Sequence, residues 1–162
     1  MRLLAVCVAL SPALASADDS LWEAELQLGY GMSRRGTNEM ATTQGSPLSF
    51  AALGAYAVSS EPHVLAYGGL VGETLSRSSV GMTAGARIDI PSTPVRVGGG
   101  GVWMFAPETL WGARATAGSC FGKTLALCGD FQLTAYFAGT NLAADETELQ
   151  VQLVLGVAAR GH

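Results

Sequence analysis

From Leu21 to Met32 the chain alternates without a break. Trp22, Ala24, Leu26, Leu28, Tyr30 and Met32 share one parity, and Glu23, Glu25, Gln27, Gly29 and Gly31 share the other. Successive strand residues point to opposite faces, so this stretch is a β-strand with one apolar and one polar face. Strands of soluble sheets run to about five or six residues. A strand tilted across a bilayer needs roughly 9–11. Trp22 and Tyr30 bracket the apolar face, the position amphipathic aromatics take where a spanning strand meets its two water interfaces.

The same alternation recurs along the chain. Leu48, Phe50, Ala52, Gly54, Tyr56 and Val58 share a face in the second segment. In the third, 64–76, both parities are partly apolar and the sequence leaves its facing open, with Glu73 as the one hint that Leu65, Tyr67 and Val71 share the inward side. Val80 to Ile90 sets apolar residues against Thr83, Arg87 and Asp89, and the next segment sets Val95, Val97, Trp103 and Phe105 against Arg96 and a run of glycines. Trp111 opposes Arg114, Phe131 and Phe137 oppose Asp130 and Gln132, and Leu149 to Val157 opposes Glu148, Gln150 and Gln152. That makes eight strands. Their connections alternate between polar or longer (33–46, 76–79, 106–109, 140–147) and short or stapled (60–63, 91–94, 119–125), with 33–46 read as one long loop. An even number of strands with short turns at one end and longer loops at the other describes a small outer-membrane barrel.

Composition agrees. Charged residues are 14% of the chain against about 25% in ordinary soluble domains, and no stretch is apolar for the length a spanning helix needs. The net charge of −4 and the absence of a basic patch argue against a nucleic-acid partner. Met1–Ala17 reads as a secretory signal peptide: Arg2, then the apolar run Leu3–Leu10, then the small residues Ala15-Ser16-Ala17 before Asp18. The mature chain, 18–162, is one domain by length. Cys7 leaves with the signal, so Cys120 and Cys128 remain, an even pair in an exported protein, and a disulfide is expected between them.

This layout resembles the eight-stranded OmpA- and OmpX-type outer-membrane β-barrel family over nearly the whole mature chain. Alternating strands such as Trp22-Glu23-Ala24-Glu25-Leu26-Gln27-Leu28 and Glu148-Leu149-Gln150-Val151-Gln152-Leu153 carry the resemblance. The last strand departs from the family pattern in holding no aromatic residue. The resemblance implies an all-β, antiparallel, up-and-down transmembrane barrel, delivered to the cell outer membrane. Its implied partners are outer-membrane lipid, lipopolysaccharide and the assembly machinery, and the expected state is a monomer.

Alternation alone also fits the inverse object, a secreted lipocalin-like barrel with its apolar face inside. The polar parity favours the membrane reading. It carries Glu23, Glu25, Glu73, Asp89, Asp130 and Glu148 with Arg87, Arg96 and Arg114. As a soluble exterior that face is too sparse in charge, whereas the lumen of an eight-stranded barrel is just wide enough for such side chains to fill it. The expectation is a closed lumen network outside any catalytic role. An aromatic girdle is expected from Trp22, Tyr30, Phe50, Tyr56, Trp103, Phe105, Trp111 and Phe137.

Other chemistry finds less support. A lipid-modifying enzyme would need a base beside its nucleophile, and the histidines, His63 in a turn and His162 at the terminus, flank no credible serine. Gly98–Gly101 lacks the Lys-Ser/Thr and strand-to-helix context of a phosphate loop and reads as relief of crowding in the wall. Arg34 and Arg35 read as solvated loop charges that could meet lipopolysaccharide phosphates. No catalytic residue, cofactor or metal ligand is expected.

Overall fold

The computed structural model describes residues 21–37, 41–60, 62–140 and 142–161, with backbone alone at 41–43. The signal segment 1–17 and His162 lie outside the described residues. Nine strands follow in order: β1 (Trp22–Gly36), β2 (Ala41–Gly45), β3 (Leu48–Ser60), β4 (His63–Thr74), β5 (Ser79–Asp89), β6 (Val95–Ala106), β7 (Leu110–Phe121), β8 (Leu125–Gly139) and β9 (Thr147–Gly161). Each pairs antiparallel with its neighbour, and β1 returns to β9 from Trp22↔Gly161 through Gly36↔Thr147, which closes the sheet.

The barrel nevertheless has eight staves. β2 and β3 pair with β1 in one continuous register, Ser33↔Gly45 and Tyr30↔Leu48, interrupted at Ser46-Pro47. Proline has no N–H to give to a ladder, so a strand that accommodates it is broken there. The Gly31 N–H still reaches the Pro47 carbonyl across the break. The long loop expected at 33–46 is therefore mostly a hairpin that extends the wall, and Arg34 and Arg35 sit on β1 rather than on a loop.

At the opposite end the wall is also longer than expected. β7 and β8 run past the Cys120↔Cys128 pair to Phe121↔Leu127, and the turn is Gly122–Thr124. Gly122 takes φ 123°, where a side chain would strike the Leu125 carbonyl, so glycine is required there. Gly85 and Gly100 face each other directly across β5 and β6. A Cβ on either would meet the other's Cα, the crowding that the Gly98–Gly101 run relieves.

The two faces divide as the parity requires. Leu26, Leu28, Met32, Phe131 and Leu155 stand 57–72% exposed on the outside, while Glu23, Glu25, Arg96 and Asp130 are 2–3% exposed within. In β4, Leu65, Val71 and Glu73 all point inward. Inside, an apolar patch of Ala51, Val71, Val102, Met104, Leu110 and Leu142 packs toward the loop end, with Leu142 contributed by the β8–β9 loop. Cys120, Ala126, Cys128 and Ala158 pack together at the end that holds the termini. Apart from these two patches the described lumen is lined mainly by charged and polar side chains, unlike the apolar interior a lipocalin-like barrel presents.

Candidate functional site

The lumen charge begins with the parity of five strands. Glu23 and Glu25 project from β1, Arg87 and Asp89 from β5, Arg96 from β6, Asp130 from β8 and Arg160 from β9, all toward the terminal end. Arg96 is the hub. Its Nη2 and Nη1 lie 2.6 and 3.0 Å from the two oxygens of Glu25, and its Nε lies 2.9 Å from Asp130 Oδ1, with Nη2 on Asp130 Oδ2. The planar fork of guanidinium suits two carboxylates at once. Arg87 donates from Nε to Asp89 at 3.1 Å and from Nη1 to Glu25 at 3.4 Å. Its Nη2 is 2.9 Å from Glu23 Oε1, close enough for an ion pair but out of line for a hydrogen bond.

Arg160 completes this layer, with Nε 2.7 Å from Glu23 Oε2. The sequence reading ended the last strand at Val157 and missed it. Continuing the parity of Gln150 and Gln152 by four more steps reaches Arg160, and that was the available signal. His63 is likewise more than a turn residue: it opens β4, is buried, and holds Nδ1 3.6 Å from Asp89 Oδ2.

A second layer lies toward the loops. Arg77, from the β4–β5 connection, places Nε 2.7 Å from Glu73 and Nη1 2.9 Å from Glu148. Its guanidinium lies 4.7 Å from the centroid of the Tyr136 ring, whose hydroxyl donates to Glu73 at 3.1 Å. Gln150 donates to Glu73 and Glu148 at 3.3 and 2.8 Å. Burial disfavours the charged form of Arg77, but Glu73 and Glu148 more than offset this and hold its pKa above the ordinary guanidinium value. Arg77 escaped the sequence reading because its connection reads as a polar loop. Arg114, which the sequence grouped with the network, joins neither layer.

Between the layers run uncharged groups. Gln132 donates to Gln152 Oε1 at 2.9 Å, and Ser49 donates to the same oxygen at 3.0 Å. Beyond the upper layer, a cleft of about 520 Å³ opens among Arg35, Gln44, Gly45, Leu75, Arg77, Glu108 and Glu148. Arg35 is tied to Glu146 of the β8–β9 loop at 3.0 Å, so the β1–β2 hairpin and that loop form one wall of the mouth.

On the outside, Trp22 pairs with Tyr56 at the terminal end, where Phe121, which the sequence reading left out, is also exposed. Toward the loop end stand Tyr30, Phe50, Trp103, Phe105, Trp111 and Phe137, all exposed. Trp103 and Trp111 are paired across β6 and β7 with rings stacked at 4.8 Å and 9°. Phe105 meets Trp103 edge-on at 5.4 Å. Such ring pairs add about 0.5–1.5 kcal/mol each beyond area burial. Cys120 and Cys128, paired on adjacent strands, form a disulfide with S–S 2.00 Å. Closing so short a loop contributes on the order of 2–3 kcal/mol in the chain-entropy model.

No family model and no curated protein matches the chain. Among solved structures, it is similar to Ail, the attachment invasion locus protein of Yersinia pestis, determined in complex with the heparin analogue sucrose octasulfate. The identity is 14% and the TM-score 0.38, over 85% of this chain and 98% of that one. At that level the likeness says nothing about what this chain binds.

Proposed function

We propose that the chain is a non-enzymatic outer-membrane barrel with a structural or surface-interaction role, exported by a cleaved signal at 1–17 and working as a monomer. One observation carries the reading: the closed barrel has its apolar residues outside and its ionised residues inside. Monomeric soluble proteins rarely expose contiguous apolar patches beyond a few hundred Å², and here the outward parity of every stave is apolar. Lipid is the solvent that satisfies such a surface, and a closed barrel is the β-structure that leaves no unpaired edge in it. In this orientation the aromatic belts lie at the two interfaces, and outer-membrane lipid and lipopolysaccharide surround the wall. The outer-membrane assembly machinery inserts it.

The short turns and both termini then face the periplasm, and the β1–β2 hairpin, the β8–β9 loop and the mouth cleft face outward. The two ionic layers close the bore and fix the register of the strands, because Arg77, Arg87, Arg96 and Arg160 each tie at least one carboxylate from another stave. Arg34, exposed on β1 near the mouth, is placed to meet headgroup phosphate.

The test is gel mobility of the washed outer-membrane fraction, boiled against unboiled, after expression in a Gram-negative host. Recovery in that fraction with a heat-dependent shift is expected. Recovery as a soluble periplasmic or secreted protein would overturn the proposal.

A further inference from the structure

Arg77, Arg87, Arg96 and Arg160 each hold at least one carboxylate. Arg114 holds none among the described residues, although it is only 9% exposed and its Nε is buried without a hydrogen-bond partner. A guanidinium remains charged at any relevant pH, so it cannot shed the charge as a buried lysine can. A buried charge left without a counter-charge is costly.

Arg114 borders a small cavity of about 30 Å³ within the lumen, together with Arg87, Arg96, Asp130, Tyr67 and Gln132. Three guanidiniums and one carboxylate line it. Asp130 is already committed, since both its oxygens accept from Arg96. The Tyr67 hydroxyl, reaching the cavity from β4 and neighbouring Thr83, is also buried without a hydrogen bond of ordinary geometry. A guanidinium with no carboxylate in ion-pair contact among the described residues, and two donors without a hydrogen bond of ordinary geometry, thus meet at one small cavity. Among the described residues of the lumen the carboxylates Glu23, Glu25, Glu73, Asp89, Asp130 and Glu148 outnumber the five arginines, so the shortage is local to Arg114.

We infer that this cavity is a binding site for a single chloride-sized anion, held by Arg114 Nε with the Tyr67 hydroxyl as second donor. Its volume is above the roughly 10–15 Å³ that one water-sized occupant needs. A halide fits this space. The ion supplies Arg114 with a counter-charge in direct contact, and it couples β4 to β7 through the lumen.

The experiment measures the unfolding temperature of the purified barrel in uncharged detergent micelles at constant ionic strength, with chloride or bromide replacing gluconate. A saturable rise of roughly 3–6 °C is expected at about ten times the half-saturating concentration, absent in Arg114→Gln and reduced in Tyr67→Phe. Bromide-soaked crystals of the unaltered chain should show anomalous density within hydrogen-bond distance of Arg114 Nε. Equal unfolding temperatures in all three salts, or an equal rise in Arg114→Gln, would overturn the inference and leave the cavity to water. Should Arg114→Gln fail to refold, the bromide map decides alone: a mid-lumen peak supports the site and its absence overturns it.

Discussion

Arg96→Ala should lower the stability of the barrel by about 3–5 kcal/mol, the range for breaking a buried ion pair from one side. The size follows from what is left behind. Arg96 neutralises Glu25 and Asp130 together, both 3% exposed, and it approaches Glu23 at 3.7 Å. Without it Glu25 keeps one arginine, Arg87 at 3.4 Å, and a hydrogen bond from Gln27 at 3.0 Å, and Asp130 keeps no arginine among the described residues. Two carboxylates are then held in a closed lumen that water reaches poorly. Arg34→Ala, at an exposed position on β1, should change stability by no more than about 0.5 kcal/mol. The urea midpoint of unfolding in micelles or liposomes reads both effects. Removing the whole cluster at once, with Arg96→Met, Glu25→Gln and Asp130→Asn combined, should recover much of the loss, because no charge is then stranded. An Arg96→Ala barrel with an unchanged midpoint would show that these ion pairs do not hold the lumen together.

The second large effect belongs to the outer face. Leu26 is 68% exposed and lies midway between Trp22 and Tyr30, the aromatics that bracket β1. In lipid its position is near the midplane, where an arginine on the lipid side costs about 2–4 kcal/mol. Leu26→Arg should therefore refold poorly into liposomes and unfold at markedly lower urea. Met32→Arg, equally exposed but nearer the mouth, should cost only about 0–1 kcal/mol, because the penalty falls toward the interfaces. In a water-facing wall the order would vanish, and Leu26→Arg would be neutral or would improve solubility. The contrast between the two sites, measured as a pair, separates the solvents.

Much of this architecture is legible in the residues, because one parity rule repeats in every stave. Leu26 beside Glu25, or Val151 beside Gln150, assigns inside and outside once the strand is recognised. The rule weakens where composition imitates a loop. Ser33 to Ser46 is rich in Gly, Thr and Ser and contains no apolar alternation, so its hairpin is hidden, and Pro47 breaks the ladder at the point where β2 would otherwise be read with β3. Strand ends are hidden for the same reason: Ala158-Ala159-Arg160-Gly161 has too little hydrophobic contrast to mark Arg160 as inward.

The polar site is legible as a set and not as a set of pairs. Parity places Glu23, Glu25, Arg87, Arg96 and Asp130 in the lumen, but which arginine meets which carboxylate depends on shear and side-chain reach. Arg114 shows the difference. It lies on the correct face of β7, yet Arg96 reaches Asp130 and Arg77 reaches Glu73 and Glu148, which leaves it without a carboxylate in ion-pair contact among the described residues. Arg77 and His63 joined the lumen from positions that read as connections, since side chains at the rim can fold inward over the last pair of a strand.

The most direct test of the inside-out barrel is the accessibility of nitroxide labels placed one at a time along β9 in liposomes, with the native cysteines kept in their disulfide. Labels at Leu149, Val151, Leu153, Leu155 and Val157 should be open to dissolved oxygen and closed to a water-soluble nickel complex, with the contrast greatest at mid-span. Labels at Gln150, Gln152 and Val154 should be poorly accessible to both reagents. Outward labels that meet the nickel complex freely along the whole strand would contradict the account and place this wall in water.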